Sequence, residues 1–300
     1  MMQRKSTELR GVVAAAPTPV TADFEPDLAR FVMLCRWLLD NGCHALNVCG
    51  TTGEATSFTL KQRMAIMSAA AENLPLRRLM TGTGAASVGD AVVLTKHAAA
   101  LGFAGALLLP PFYYKGVSDD GIVGYFARVV AATADEPIDL YLYNFPQLSC
   151  VAYTLQLIER LRGEFGGRIV GLKDSSGDLD YAAKVTAISP DFAVFPSTEA
   201  VLLRARAGEF AGCISGSANV TSALSARAFD QGDRAALDTV CAIRTLVSRK
   251  PIIPSVKAVL AEWLGDPALE RVIPPLTPLA AGDKRNLLRE VAALVLSPVK

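Results

Sequence analysis

Short apolar runs rich in valine, isoleucine and leucine alternate along this chain with longer segments whose apolar residues recur at helical spacing. The runs lie at residues 12–16, 45–49, 78–81, 105–109, 139–143, 169–172, 193–195 and 212–215. They are apolar on both faces, as parallel strands covered by helices should be. Their starts are mostly about 20 to 35 residues apart, room for one crossover helix each time. Between them, residues 26–40 place Leu28, Phe31, Val32, Cys35, Leu38 and Leu39 largely on one helical face. Thr59, Ser87 and Ser118 are suited to cap helices over 59–72, 88–100 and 119–133. Further helices are predicted at 154–161, 178–188, 199–207 and 221–229.

Eight such units close naturally into a barrel, with an open doubly wound sheet as the alternative. Beyond residue 230 the pattern is helical only, at 233–248, 253–264 and 284–296. The predicted fold class is therefore α/β: a (β/α)8 TIM barrel over residues 1–230, with a C-terminal helical extension over 231–300 packed on it. The basic start followed by residues 12–16 faintly resembles a signal peptide, but the apolar run is too short and ends at Pro17, so a first strand is expected.

Composition narrows the function. Net charge is +1 with both signs scattered, which argues against a nucleic-acid partner and against electrostatic membrane docking. No apolar run approaches the roughly 18 residues of a membrane span. The six cysteines form no C-x-x-C pair and read as reduced thiols in a cytoplasmic protein. Only His44 and His97 offer imidazoles, far apart in sequence, so a histidine metal site is not expected.

In a barrel the active site lies at the C-terminal ends of the strands. There the sequence places Gly50-Thr51-Thr52-Gly53-Glu54, Pro110-Pro111-Phe112-Tyr113-Tyr114, Tyr143-Asn144-Phe145-Pro146, Gly171-Leu172-Lys173-Asp174 and Ser215-Gly216-Ser217. Lys173, directly after a buried strand, should point into the barrel mouth. An ammonium there is costly to desolvate, which favours the neutral amine. A neutral lysine attacks ketones and forms a Schiff base. By position alone it reads equally as a lysine opening a solvated loop. Gly50 to Gly53 can cradle a carboxylate with backbone N–H groups and hydroxyls, or be a plain turn. Tyr143 can shuttle a proton, or merely pack its ring.

Together these segments resemble the dihydrodipicolinate synthase / N-acetylneuraminate lyase family, in order, spacing and strand position. The late Pro274-Pro275-Leu276 resembles the family's C-terminal segment, so the likeness spans nearly the whole chain. The resemblance implies that Lys173 forms an imine with pyruvate or another 2-oxo acid, without metal or organic cofactor. It implies that Tyr143 is the general acid/base, and that Thr51 links Tyr143 to Tyr114, the latter reaching in from a neighbouring subunit. It implies that Gly50, Thr51 and Thr52 hold the carboxylate, that Ile214 presents its carbonyl near the imine, and that the assembly is a homotetramer of two dimers.

The chain departs from the synthases at Leu148, where they carry an arginine for the second substrate's carboxylate. A leucine cannot pair with a carboxylate. The stretch looks more like the lyase and sugar-acid aldolase branch. Sialate lyases place two adjacent acids after strand seven and a serine after strand eight; here stand Glu199-Ala200 and Gly216. Ser175, Gln147 and Glu199 are the candidates for recognising the rest of the substrate. The expected function is an aldolase that makes or breaks a carbon–carbon bond between a 2-oxo acid and an aldehyde. The alternatives are 4-hydroxy-tetrahydrodipicolinate synthase, a dehydratase or deaminase using the same imine, and a catalytically silent 2-oxo-acid sensor.

Overall fold

The computed structural model describes residues 9–296, and residues 1–8 and 297–300 lie outside it. Eight strands form one sheet: β1 (Gly11–Ala15), β2 (Ala45–Val48), β3 (Leu79–Gly82), β4 (Gly105–Leu108), β5 (Leu140–Asn144), β6 (Ile169–Asp174), β7 (Ala193–Pro196) and β8 (Gly212–Ser215). Every ladder is parallel, and β1 pairs with both β2 and β8. The seam between β7 and β8 is crossed by a backbone bond from Ala211 N to Val194 O, 3.0 Å. The sheet is thus a closed (β/α)8 barrel.

The barrel helices are α1 (Leu28–Asp40), α2 (Leu60–Asn73), α3 (Val88–Leu101), α4 (Asp119–Ala132), α5 (Pro146–Ser149), α6 (Leu155–Phe165), α7 (Leu179–Thr186), α8 (Leu202–Arg206) and α9 (Ala218–Gln231). The expected caps form: Ser87 and Ser118 accept from the N–H groups of Asp90 and Gly121. Thr59 and Gln62 make a reciprocal capping box. The one-turn α5 was not expected from the sequence; Pro146 opens it and Cys150 ends it in the left-handed region. The predicted helix at 199–207 is split into a 3-10 turn, Glu199–Val201, and the short α8. The eighth barrel helix begins at Ala218, three residues before the predicted 221.

The extension comprises α10 (Arg234–Val247), α11 (Ile252–Leu264) and α12 (Ala281–Leu296). α10 packs on α9, α11 also reaches α9, and α12 covers α10 and α11. No described helix is long and apolar enough to cross a membrane.

The interior of the barrel explains the depth of the site. Strands in a barrel tilt, so a plane across it advances about one residue from each strand to the next. Applied to the observed registers, this puts Val13, Met80, Tyr141 and Phe195 of the odd strands in one layer. Asn47, Leu107, Lys173 and Ile214 of the even strands form the next layer towards the mouth. Ala15, Gly82 and Tyr143 stand above them. The lowest layer is nearly side-chain free, with Ala45, Gly105, Gly171 and Gly212. The Tyr141 ring fills that space. A Cβ on Gly105 would fall 2.6 Å from the ring, and one on Gly171 would fall 2.8 Å from the ring and 2.4 Å from Ala193 O.

These two glycines make a matched test. Overpacking a core costs about 1–3 kcal/mol. Gly105→Ala should lose stability in that range by chemical denaturation, and Tyr141→Leu in the same chain should return part of it. Gly171→Ala should be rescued less by Tyr141→Leu, because its closest clash is with the backbone at Ala193 O. Equal rescue of both would overturn the layer assignment.

Candidate active site

β6 delivers Lys173 to the barrel interior because Gly171 and Lys173 share one face of the strand. Lys173 is only 4% exposed. Its Nζ donates to the Tyr143 hydroxyl at 3.2 Å and lies 4.2 Å from the centre of the same ring. Tyr143 stands one strand away, paired with Lys173 in the β5–β6 ladder. Thr51 Oγ1 is 3.3 Å from the Tyr143 oxygen. The lysine, the phenol and the threonine are therefore one connected group at the mouth.

The electrostatics of Tyr143 follow from that contact. Burial pushes its pKa up, but the Lys173 charge and hydrogen bonds from Thr51, Lys173 and Ser175 outweigh burial and hold the phenol below its ordinary value. Ser175 is thus turned to the phenol as well, while its N–H donates to Asn144 O at 2.8 Å.

Behind the lysine, Asp174 fixes the strand end. Its carboxylate accepts from Asn144 Nδ2 at 2.7 Å, Ser176 Oγ at 2.9 Å and Ser176 N at 3.2 Å. Burial still raises the Asp174 pKa, against the pull of those bonds. Asn144 also accepts from Tyr153 N at 3.3 Å. So the residues directly after Tyr143 and Lys173 clamp β5 to β6.

The loop of residues 50–54 arches over the β2 end. Cys49, just before it, and Glu54, at its end, both take positive φ. A Cβ on Gly50 would fall 2.5 Å from Asn47 Nδ2. Asn47 is buried in the Lys173 layer, and neither atom of its amide has a partner among the described residues. Thr52 is buried and its Oγ1 lies 3.1 Å from the Cβ position of Gly216. The side chain of Ile252, from α11, lies 3.3 Å from that same position. A serine there would crowd both.

Glu54 leaves the mouth. Its carboxylate accepts from Lys257 Nζ of α11, and from Ile273 N at 2.7 Å. Lys257 also donates to Arg271 O at 2.7 Å. Burial lowers the Lys257 pKa, and the Glu54 charge pulls it back up. Neither residue was singled out from the sequence as a pair; 203 positions separate them.

The structure corrects one sequence expectation. Glu199, a candidate for the substrate's tail, is 0% exposed and turned to the outer side of β8. Its carboxylate accepts from Ser217 Oγ at 2.8 Å and Arg244 Nη1 at 3.0 Å, with Thr221 Oγ1 at 3.4 Å. Arg244 in turn holds Ser215 and Ser217 at 2.9 and 2.8 Å. The chain leaves β7 at Pro196 and enters a 3-10 turn, so strand parity no longer points residue 199 inward. Glu199 ties β8, α9 and α10 together and is withdrawn from the mouth.

The other candidates distribute as follows. Ile214 is in the Lys173 layer and fully buried. Gln147 is exposed at the rim and donates to Ser176 O at 2.9 Å. Tyr114 is 71% exposed on the β4–α4 loop, stacked edge-on against Tyr113, and does not reach Thr51 within its own chain. A cavity of about 220 Å³ opens beside the Thr51–Tyr143 pair, walled by Gly50, Leu109, Phe112 and Leu148. A larger hollow of about 1050 Å³ lies at the opposite end of the barrel, around Ile169, Ala193 and Ala211. Size therefore does not mark the site here; the convergent polar groups do. Among the described residues no cluster of histidine, cysteine and carboxylate side chains could hold a metal ion.

Comparison with known proteins gives a consistent answer. The family model of the Dihydrodipicolinate synthetase family matches residues 8–294. The chain is 32% identical over 293 residues to an uncharacterized DapA-like lyase of Chloroflexus aurantiacus, covering 96% of this chain and 95% of that protein. It is 30% identical over 299 residues to the 4-hydroxy-tetrahydrodipicolinate synthase of Methanococcoides burtonii, covering 95% and 99%. The crystal structure of dihydrodipicolinate synthase from Agrobacterium tumefaciens superposes with a TM-score of 0.87 at 29% identity, over 94% of this chain and 99% of that one. A barrel with a buried lysine, phenol and threonine at its mouth, matched to one family along nearly its whole length, belongs to the Dihydrodipicolinate synthetase family.

Proposed function

We propose that this protein is a Schiff-base lyase of the aldolase type, which makes or breaks a carbon–carbon bond between pyruvate and an aldehyde through an imine on Lys173. The observation that carries the reading is the contact of Lys173 Nζ with the Tyr143 hydroxyl, closed by Thr51. In the cleavage direction the Lys173 amine adds to the C2 ketone of a 4-hydroxy-2-oxo acid. Tyr143 passes the proton that turns the carbinolamine oxygen into leaving water. The protonated imine draws the electron pair of the C3–C4 bond, the C4 hydroxyl gives up its proton, and the aldehyde departs. The enamine left behind takes a proton at C3, and water releases pyruvate and restores the amine.

The loop of residues 50–54 is read as the carboxylate cradle, with Thr51 and Thr52 as its hydroxyls. Ile214 would offer its carbonyl from the same layer as Lys173. The exposed Tyr113–Tyr114 pair supports the family's arrangement, in which Tyr114 completes the relay of a neighbouring subunit in a homotetramer of two dimers. The six cysteines are unpaired, which suits a cytoplasmic enzyme.

Leu148 favours the lyase branch over the condensing synthases. It is 49% exposed at the rim of the cavity beside Tyr143. No guanidinium is offered at that position to a second carboxylate. Ser175 and Gln147 remain as polar groups near the tail; Glu199 does not.

Four outcomes test this reading. Borohydride with pyruvate should attach a stable adduct to the peptide carrying Lys173, and a folded protein with unmodified Lys173 would falsify it. Tyr143→Phe should slow that trapping by about 10²-fold or more, the usual scale for losing a general acid/base. Lys173→Met should move the Tyr143 titration in the opposite direction to its present shift. With the cation gone, burial is opposed only by the Thr51 and Ser175 bonds, so the phenol should titrate higher than in the parent, read as phenolate absorbance absent from a Tyr143→Phe/Lys173→Met control. Lastly, Leu148→Arg should raise kcat/KM about tenfold for an aldehyde bearing a carboxylate relative to a neutral one, as a charged hydrogen bond is gained. No change in that ratio would remove Leu148 from the tail subsite.

A further inference from the structure

The helical extension lies outside the barrel, yet two of its side chains meet the loop of residues 50–54. Ile252, the first residue of α11, packs beside Thr52 and Gly216. Lys257, further along the same helix, reaches Glu54, the last residue of the loop over the β2 end. Both members of this ion pair are sealed, with side chains 2% and 0% exposed.

Both Glu54 oxygens and two of the three Lys257 ammonium protons are committed. One Glu54 oxygen takes Lys257 and the other takes Ile273 N. Lys257 spends a second proton on Arg271 O. Glu54 itself sits at φ +56, a conformation that costs a non-glycine residue energy unless its surroundings hold it. The loop running back from it carries Thr52 and Thr51, and Thr51 ends on Tyr143. So an unbroken line of contacts runs from the backbone at 271–273, through Lys257 and Glu54, to the phenol that touches Lys173.

We infer that Lys257 is a positioning residue of the active site: from the C-terminal extension it sets the loop of residues 50–54 in the one arrangement that receives the 2-oxo acid's carboxylate. Its contribution belongs to substrate binding rather than to the chemical steps, because its bonds go to Glu54 and Arg271 O and none reaches Lys173 or Tyr143. The inference rests on the reading of that loop as the carboxylate cradle. A buried ion pair is weak evidence for stability, since apolar residues of similar volume often replace one without loss. Here the pair holds a strained, polar loop, which apolar packing alone does not do.

That distinction supplies the test. Lys257→Met leaves Glu54 buried and unpaired, so it lowers thermal stability whatever its role. Lys257→Met/Glu54→Leu removes the stranded charge and the tether together. Lys257→Met/Glu54→Gln removes the charge but leaves an amide oxygen for Ile273 N and an amide N–H for Arg271 O. The positioning role predicts that KM for pyruvate rises about tenfold in Lys257→Met and in the leucine pair, with kcat at saturation nearly kept. The glutamine pair should fall between, about threefold to tenfold above the parent, since a neutral bond replaces a charged one. A merely structural role predicts instead that KM follows thermal stability, so the leucine pair would recover both. A parental KM in the leucine pair overturns the inference. Where that variant does not fold, a parental KM in the glutamine pair does so. Borohydride trapping of pyruvate on Lys173 is measured alongside in the parent; its absence there would sink the aldolase reading and not this one.

Discussion

A lysine held inside a packed barrel is the constraint around which the rest of the structure is arranged. In its layer the side chains of Leu107 and Ile214 are apolar and the Asn47 amide makes no bond among the described residues, and the Tyr143 hydroxyl above it is the group that receives Nζ. The exchange is reciprocal. The phenol gives the amine a partner in a poorly solvated place, and the amine's charge holds the phenol below its ordinary pKa against burial. Two groups that would each be costly alone become a usable acid/base pair together. The small residues around them follow from the same need. A Cβ on Gly82 would fall 2.2 Å from Cys49 O, so its absence lets the loop that carries Thr51 come in over the mouth, and Tyr141 fills the glycine-lined floor beneath the lysine.

Two buried glutamates show how the scaffold separates from the site. Glu54 and Glu199 both follow strand ends, both are sealed, and both are paired with a base from the extension. Glu54 meets Lys257 through a loop that carries Thr51, so its bonds bear on the mouth. Glu199 meets Arg244 directly and shares Ser217 with it, on the outer face of β8, so its bonds bear on the packing of α9 and α10. The same chemistry serves binding in one place and assembly in the other. What differs is whether the chain between carboxylate and mouth is a loop or a strand wall.

The fold was legible because its signals are local. Parallel strands buried on both faces read as apolar runs, and Ser87, Ser118 and Thr59 mark their helices by bonds spanning three residues. Lys173 was legible too, since alternation from Gly171 fixes the face it takes. Glu199 was not: after Pro196 the chain leaves the strand, and alternation says nothing about where a 3-10 turn sends its side chain. Nor was Lys257, whose partner is brought near by closure of the whole chain rather than by any local pattern. Tyr114 lies between these cases. Its motif places it at the right strand end, while a single chain leaves it 71% exposed and away from Thr51.

The two halves of the mouth differ in how firmly they are built. On the Lys173 side each polar group answers to a second one: Lys173 to Tyr143, Tyr143 to Thr51, Asp174 to Asn144, Glu54 to Lys257. Such a network would position a reacting 2-oxo acid closely, because each member is held by another. On the other side stand Leu148, Gly216 backed by Ile252, and Gln147 tied to a backbone carbonyl. Leu148 and Gln147 sit on the short α5, where replacement disturbs few partners. A barrel that fixes the imine chemistry on its strands and leaves the tail to its loops can change substrate without changing mechanism. Family membership therefore speaks strongly for the lysine and weakly for the aldehyde, and the physical reason is the density of bonds on each side of the mouth.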